Sequence, residues 1–216
     1  MTSPTLPPGT LFALMASSRL WSFDRLIECV DDFVPHARDQ MLLRRQQELI
    51  NAKDESIDEL DAELELTKIE WSSRFPAHFY GNLVVLLSAE LEIIFGHFAA
   101  QVREAKALLL AFDDIAGPSP YSRLRKYTQV ALNVALPENS MLEDLYFLRN
   151  IFAHHGGEIT HQSDQRKRRI EAISRSSLGV SVSETYVIVS HEYLYAASDS
   201  AGKLARTLSD IHPQRG

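Results

Sequence analysis

HFYGNLVVLLSAELEIIFGHFAAQVREA, residues 78–105, is the most apolar stretch of the 216-residue chain, and its reading decides the fold. Wound at 3.6 residues per turn, it places apolar side chains on nearly every side. A helix of that kind belongs in the centre of a bundle, because no single flank of core can absorb it. Glu90 and Glu92 are out of place there, since a buried carboxylate needs a partner or a function. Each is accounted for either by a salt bridge to an arginine or by a role in a site.

Around this helix the chain reads as further helices. Residues 1–9, with three prolines, read as a loose tail. Over residues 10–43, Phe12, Leu20, Phe23, Leu26, Ile27, Val30, Phe33 and Val34 recur at helical spacings, and Pro35 is expected to kink or restart the helix. From 43 to 71 an apolar residue stands at every seventh position: Leu43, Ile50, Ile57, Leu64 and Trp71. The positions that would complete a seam are Gln46, Lys53, Leu60 and Thr67, so the pattern predicts one long, mostly solvated helix rather than a zipper. Arg74-Phe75-Pro76 breaks that pattern. Gly117-Pro118-Ser119-Pro120 reads as a loop, and 121–136 and 139–154 as two helices, the second capped by Asn139 or Ser140 and stopped by Gly156 and Gly157. A basic helix over 162–174 follows. LGVSVSETYVIVS, residues 178–190, alternates Val180/Val182 and Tyr186/Ile188 with the period of a short hairpin, turning at Ser183-Glu184. A last helix covers 191–208. The expected architecture is an all-α bundle over 75–210, preceded by N-terminal helices over 10–74, with a hairpin before the final helix.

Composition narrows the function classes. A 45% hydrophobic, 24% charged chain is that of an ordinary globular protein. A single cysteine, Cys29, excludes a disulfide framework or a thiolate cluster and suits a reducing, cytoplasmic compartment. The start of the sequence lacks a basic region and a cleavage site, and no apolar run approaches the roughly 20 residues of a membrane span. Net charge is −7, but it is unevenly placed. Residues 54–70 hold eight acids and one base (1 − 8 = −7), while 161–175 hold five bases and two acids (5 − 2 = +3). The overall balance therefore says little about what each surface binds. The acidic run reads as a solvated face or as a surface that recruits a basic partner.

Residues 148–157, LRNIFAHHGG, close the helix of 139–154. At 100° per residue, Met141, Leu145, Leu148 and Phe152 form the core stripe. Asn150 and His154, four apart, lie opposite with Glu143 and Phe147, and Phe147 there favours contact with a second protein surface. Arg149 sits at the edge of the core stripe, about 140° from His154 by that same periodicity, and reaches towards it only by wrapping around the helix. Cations at a helix C-terminus are favourable in themselves, so Arg149, His154 and His155 also fit a plain cap.

The string Arg149-Asn150-x-x-x-His154 resembles the R-x4-6-H signature of HEPN domains, in which a polar residue directly follows the arginine. The resemblance extends over residues 71–208: RFPAHFYGNLVVLLSAELEIIFG is similar to the family's early core helix, with its internal carboxylate. It implies a homodimeric endoribonuclease that needs no metal or cofactor, with catalytic residues Arg149, Asn150 and His154 at a shared interface. It also implies a role in bacterial defence or a toxin–antitoxin pair, with an antitoxin or other regulatory protein as partner. Family ribonucleases use an upstream glutamate, for which Glu92 is the first choice and Glu90 the second. The chemistry is coherent. A histidine suits proton transfer from the 2′-hydroxyl and to the leaving 5′-oxygen, and an arginine suits the phosphorane. The product would carry a 2′,3′-cyclic phosphate. Some family toxins carry a tyrosine two residues after the histidine, where nucleotide addition silences them; Gly156 stands there instead. Arg166, Lys167, Arg168 and Arg169 are the expected RNA-binding set, or else a solvated face, and Arg123, Arg125 and Lys126 join the same side. His155, Glu158 and His161 lack the spacing of metal ligands, so no metal is expected. The alternatives are a HEPN module that binds nucleotide, RNA or a partner protein without cleavage, and an accessory subunit that acts with a neighbouring gene product.

Overall fold

The computed structural model describes residues 7–51, 57–183 and 185–213. In chain order the elements are α1 (Pro8–Ile50), α2 (Ile57–Ile69), a π turn (Glu70–Arg74), α3 (Phe75–Ala105), a 3-10 turn (Phe112–Asp114) and α4 (Pro120–Leu132). They continue with α5 (Ser140–His155), α6 (Asp164–Ser176), β1 (Val180–Val182), β2 (Val187–Val189) and α7 (His191–Asp210). The fold is all-α with one small antiparallel hairpin before the last helix.

The apolar helix stands at the centre. α3 buries Leu83, Val84, Leu87, Leu91, Ile94, Phe95 and Phe98, and α1, α4, α5, α7 and β2 all pack on it. By length and composition α3 also qualifies as a membrane span, with mean hydropathy 1.8 over 18 residues, contrary to the sequence reading. Half of that stretch is buried inside the bundle, so packing against its neighbours accounts for much of its apolar character. α1 presents Phe12, Ala16, Leu20, Phe23 and Ile27, spaced by three and four, to α7 and α3, so residues on both sides of position 75 share one core. Leu26 and Phe33, expected on that stripe, are exposed. Polar ties reinforce the same core. Ser198 donates to Asp24 at 2.6 Å, Tyr80 donates to Asp31, and His212 bonds Gln101 at 2.7 Å. With these partners satisfied, burial of the polar groups costs little.

Several local expectations are corrected. Pro35 lies inside α1 without ending it, although an interior proline costs about 3 kcal/mol. Packing on both sides offsets that cost: Val34 is buried, and Phe33 meets Phe79 edge-on at 5.8 Å. The single helix expected over 43–71 is two. α1 ends at Ile50, and α2 returns along it, tied by Arg45 to Glu63 at 2.9 Å. The seven-residue repeat is therefore split between two helices and makes no seam: Leu64 is buried while Leu43 and Ile50 are 57% and 81% exposed. Lys53 and the first three residues of the acidic run, 54–56, lie outside the described residues, as do residues 1–6 of the expected tail. Arg74-Phe75-Pro76 does not interrupt the chain's winding; the π turn carries α2 directly into α3, with the proline in the first turn where its missing N–H is harmless. α4 stops at Leu132, before the expected 136, because Asn133 turns left-handed at φ 55°. On β2 the buried side is Val187 and Val189, and Tyr186 and Ile188 take the other face. Glu184 of the expected turn lies outside the described residues.

Candidate functional site

α5 is fixed at both ends. The Asn139 side chain accepts from the Leu142 N–H at 3.2 Å, and Gly156 caps the C-terminus at φ 58°. Near that end, Phe152 lies against Gly81 of α3 so closely that a Cβ on Gly81 would stand 2.3 Å from the ring. Gly157 gives the same ring room from the other side, at 2.8 Å. Two glycines thus let an aromatic anchor hold the last turn, and with it Asn150, His154 and His155.

Glu143, Tyr146, Phe147 and Asn150, spaced i, i+3, i+4 and i+7, form one wall of a cavity of about 180 Å³. Glu92 of α3, Ser119 and Pro120 at the start of α4, Arg149, and Arg169 of α6 complete it. Arg149 wraps as the wheel required: its Nη1 donates to Asn150 Oδ1 at 3.0 Å. His154 continues the Glu143–Asn150 row one turn on, but it is exposed and outside the cavity, with the His155 ring 6.4 Å away. The chain therefore brings together Arg149, Asn150 and Glu92, and leaves His154 beyond the rim.

The two candidate glutamates separate cleanly. Glu90 faces α1 and pairs with Arg19 at 2.6 Å, the structural role foreseen as one option. Glu92 faces the cavity, and no hydrogen bond or ion pair engages its carboxylate among the described residues.

The basic helix is less free than its sequence suggests. Arg169 donates to the Glu143 carbonyl at 3.3 Å and to Asp144 at 3.2 Å, with its guanidinium 4.2 Å from the Phe147 ring centroid. Arg169 thus covers one face of Phe147 from within the chain and leaves the ring half-buried. Arg166 donates to Gln162, Lys167 to the Thr160 carbonyl, and Arg168 is exposed. Only Arg169 of the four reaches the cavity. Arg123 stacks on Phe112 and pairs with Asp113, and Arg125 and Lys126 donate to the Leu136 and Ala116 carbonyls. Those three brace loops.

Tyr146 was not foreseen as part of the site. It is 3% exposed, and neither its hydroxyl nor Arg149 Nε has a hydrogen-bond partner among the described residues. Burial first, then the nearby Glu92 carboxylate, pushes its phenol well above the ordinary tyrosine value. In sequence it reads as one more core aromatic; only its spacing from Asn150 and Glu143 hints otherwise. A larger groove of about 460 Å³ between α1 and α7, lined by Trp21, Asp24, Tyr195 and Arg206, contains none of the motif residues. Its buried hydroxyl, Ser198, is already satisfied by Asp24, so the smaller cavity with unpaired donors is the stronger candidate. Among the described residues no three His, Cys, Asp or Glu side chains cluster as metal ligands.

No family model, curated protein or solved structure matches the chain.

Proposed function

We propose that this protein is a metal-independent ribonuclease of the HEPN kind, acting on RNA at the C-terminal end of α5. The observation that carries this reading is the common cavity wall of Arg149, Asn150 and Glu92, with His154 one turn further along the same side of the helix. Arg149 binds the scissile phosphate and stabilises the charge that builds on it; a guanidinium stays charged and meets phosphate oxygens with a fork of donors. Asn150 holds that guanidinium through its Oδ1. His154 accepts the 2′-hydroxyl proton, the 2′-oxygen attacks phosphorus, and the 5′-oxygen leaves with a proton, giving a 2′,3′-cyclic phosphate and a 5′-hydroxyl. Glu92 meets the substrate from α3. Because His154 lies outside the cavity of its own protomer, the reading includes a homodimer in which two α5 ends face each other and each histidine serves a shared cleft. A role in defence or beside an antitoxin follows from the family resemblance alone.

The test is RNA cleavage in EDTA by wild type, Arg149→Ala and His154→Ala, with growth followed on expression. Losing either group should lower cleavage by roughly 10²–10⁴-fold, the range of a single acid–base or electrostatic contribution. Wild type that neither cleaves nor arrests growth, or variants that match it, would remove the enzyme reading. The partly covered Phe147 and the distance of His154 from the cavity favour a second reading, a HEPN module that binds RNA or nucleotide without cutting it. Arg149-dependent binding without cleavage would select that one.

A further inference from the structure

The cavity beside Arg149 has an unusual balance of unused hydrogen-bonding groups. On the donor side, Tyr146 and Arg149 line the cavity, and the buried Tyr146 O–H and Arg149 Nε–H lack acceptors among the described residues. On the acceptor side, no hydrogen bond or ion pair among the described residues engages the carboxylates of Glu92 and Glu143, both of which line the same space. Buried donors without acceptors are rare in folded proteins, and each calls for an explanation.

The charges narrow the occupant. A bare anion would satisfy the two donors but face two carboxylates. An amine would satisfy the carboxylates but leave both donors empty and face Arg149. A neutral group bearing a carbonyl next to N–H groups satisfies all four. The volume, about 180 Å³, is well below the roughly 300–1,000 Å³ of pockets for larger ligands, so it admits a single ring system.

We propose that this cavity is a nucleobase pocket for guanine, with Tyr146 and Arg149 donating to the base carbonyl and Glu92 and Glu143 accepting from its N–H groups. Guanine alone among the four RNA bases sets two neighbouring donors, N1–H and the N2 amine, beside a carbonyl, the arrangement that matches a carboxylate's two oxygens. Uracil offers one N–H; adenine and cytosine offer one amine and no adjacent ring N–H. Single-stranded RNA is read in this way, with a splayed base inserted into a pocket and hydrogen-bonded along its pairing edge. Arg149 divides its donors: the Nε–H meets the base carbonyl, while Nη1 stays on Asn150 and the remaining N–H groups are left for the phosphate. The proposal rests on the ribonuclease reading for the statement that the base belongs to an RNA strand; the pocket chemistry stands on the cavity itself.

Calorimetric titration of the full chain with GMP, AMP, CMP and UMP tests it. Wild type should bind GMP at least about tenfold more tightly than the others, since a base that leaves buried groups unpaired loses roughly that much per group. Tyr146→Phe, which deletes only a hydroxyl, and Glu143→Gln should each reduce that preference about five- to tenfold. Equal affinity for all four nucleotides, no binding at all, or a preference that survives both substitutions would overturn the pocket. Mapping cleavage sites on an RNA of mixed sequence in EDTA keeps the two ideas apart. Cleavage that depends on His154 but ignores guanine sinks the pocket and leaves the ribonuclease. Selective GMP binding with no cleavage does the reverse.

Discussion

Two glycines in one helix should respond to the same substitution with opposite signs. In α3, a Cβ on Gly81 would lie 2.3 Å from Phe152 Cδ1 and 2.5 Å from Cε1, whereas a Cβ on Gly96 would meet nothing within 4 Å. Alanine at Gly96 should therefore show only the helix-propensity gain, a stabilisation of about 0.5–1 kcal/mol. At Gly81 that gain is opposed by an overlap of about 1.2 Å against an ordinary carbon contact of about 3.5 Å. Neither the ring nor the helix can yield that much without leaving its rotamer or shifting backbone, and such overpacking costs about 1–3 kcal/mol. The net effect is a loss of up to about 2 kcal/mol. The difference between the two variants is the more secure number, because the glycine-to-alanine gain cancels and leaves the clash. For a domain of this size it corresponds to a separation in Tm of roughly 2–12 °C. Urea and thermal unfolding of both variants measure it, and Phe152→Leu in the Gly81→Ala background should recover part of the loss. Equal stability of the two alanine variants would show that Phe152 does not seat on Gly81, and the account of how the α5 end is held would fail with it.

Glu90 and Glu92 should divide by phenotype. Glu90→Gln should cost about 1 kcal/mol through its half-buried pair with Arg19 and leave RNA cleavage unchanged, whereas Glu92→Gln should lower cleavage with stability within about 0.5 kcal/mol of wild type. The opposite pattern in unfolding and cleavage assays would reassign the two carboxylates. Burial, aided at Tyr80 by the hydrogen bond to Asp31, raises the phenols of Tyr80, Tyr121, Tyr127, Tyr146 and Tyr193. Folded chains keep these protons where unfolded chains lose them near pH ~10, so the stability involved is intact below about pH 10 and drains away as pH climbs towards the folded-state values. An alkaline absorbance titration followed alongside circular dichroism should find at least these five of the seven tyrosines protonated for as long as the helices persist. More than two ionising in folded protein would contradict the burial described.

What could be read in the sequence was whatever short-range chemistry determines. α5 was legible because Asn139 and the paired glycines are local signals, and α3 because its apolar character leaves one place for it. The pairing of α1 and α2 was not, because a chance seven-residue spacing of apolar residues runs through both of them. At the site, Arg149, Asn150 and His154 share one helix, so their relative positions follow from winding alone. The roles of Glu90 and Glu92 depend on Arg19, 71 residues away from Glu90, and on α5. The cover over Phe147 comes from Arg169, and the isolation of the Tyr146 hydroxyl from elements contributed by three other helices. Such facts exist only once distant segments meet, and no pattern within a window of residues carries them.

The seam between α1 and α7 also sets an order of events on the ribosome. Ser209 donates to the Gly9 carbonyl across 200 residues, and Phe12, Ala16, Leu20, Phe23 and Ile27 find much of their cover on α7. At 5–20 residues per second, α1 emerges about 10–40 s before the helix that completes its burial. During that interval the side of α1 that α7 will cover is an open invitation to chaperones and to neighbouring nascent chains. Slowing synthesis between these two helices should therefore harm the yield of soluble protein more than the same delay before α1 is made.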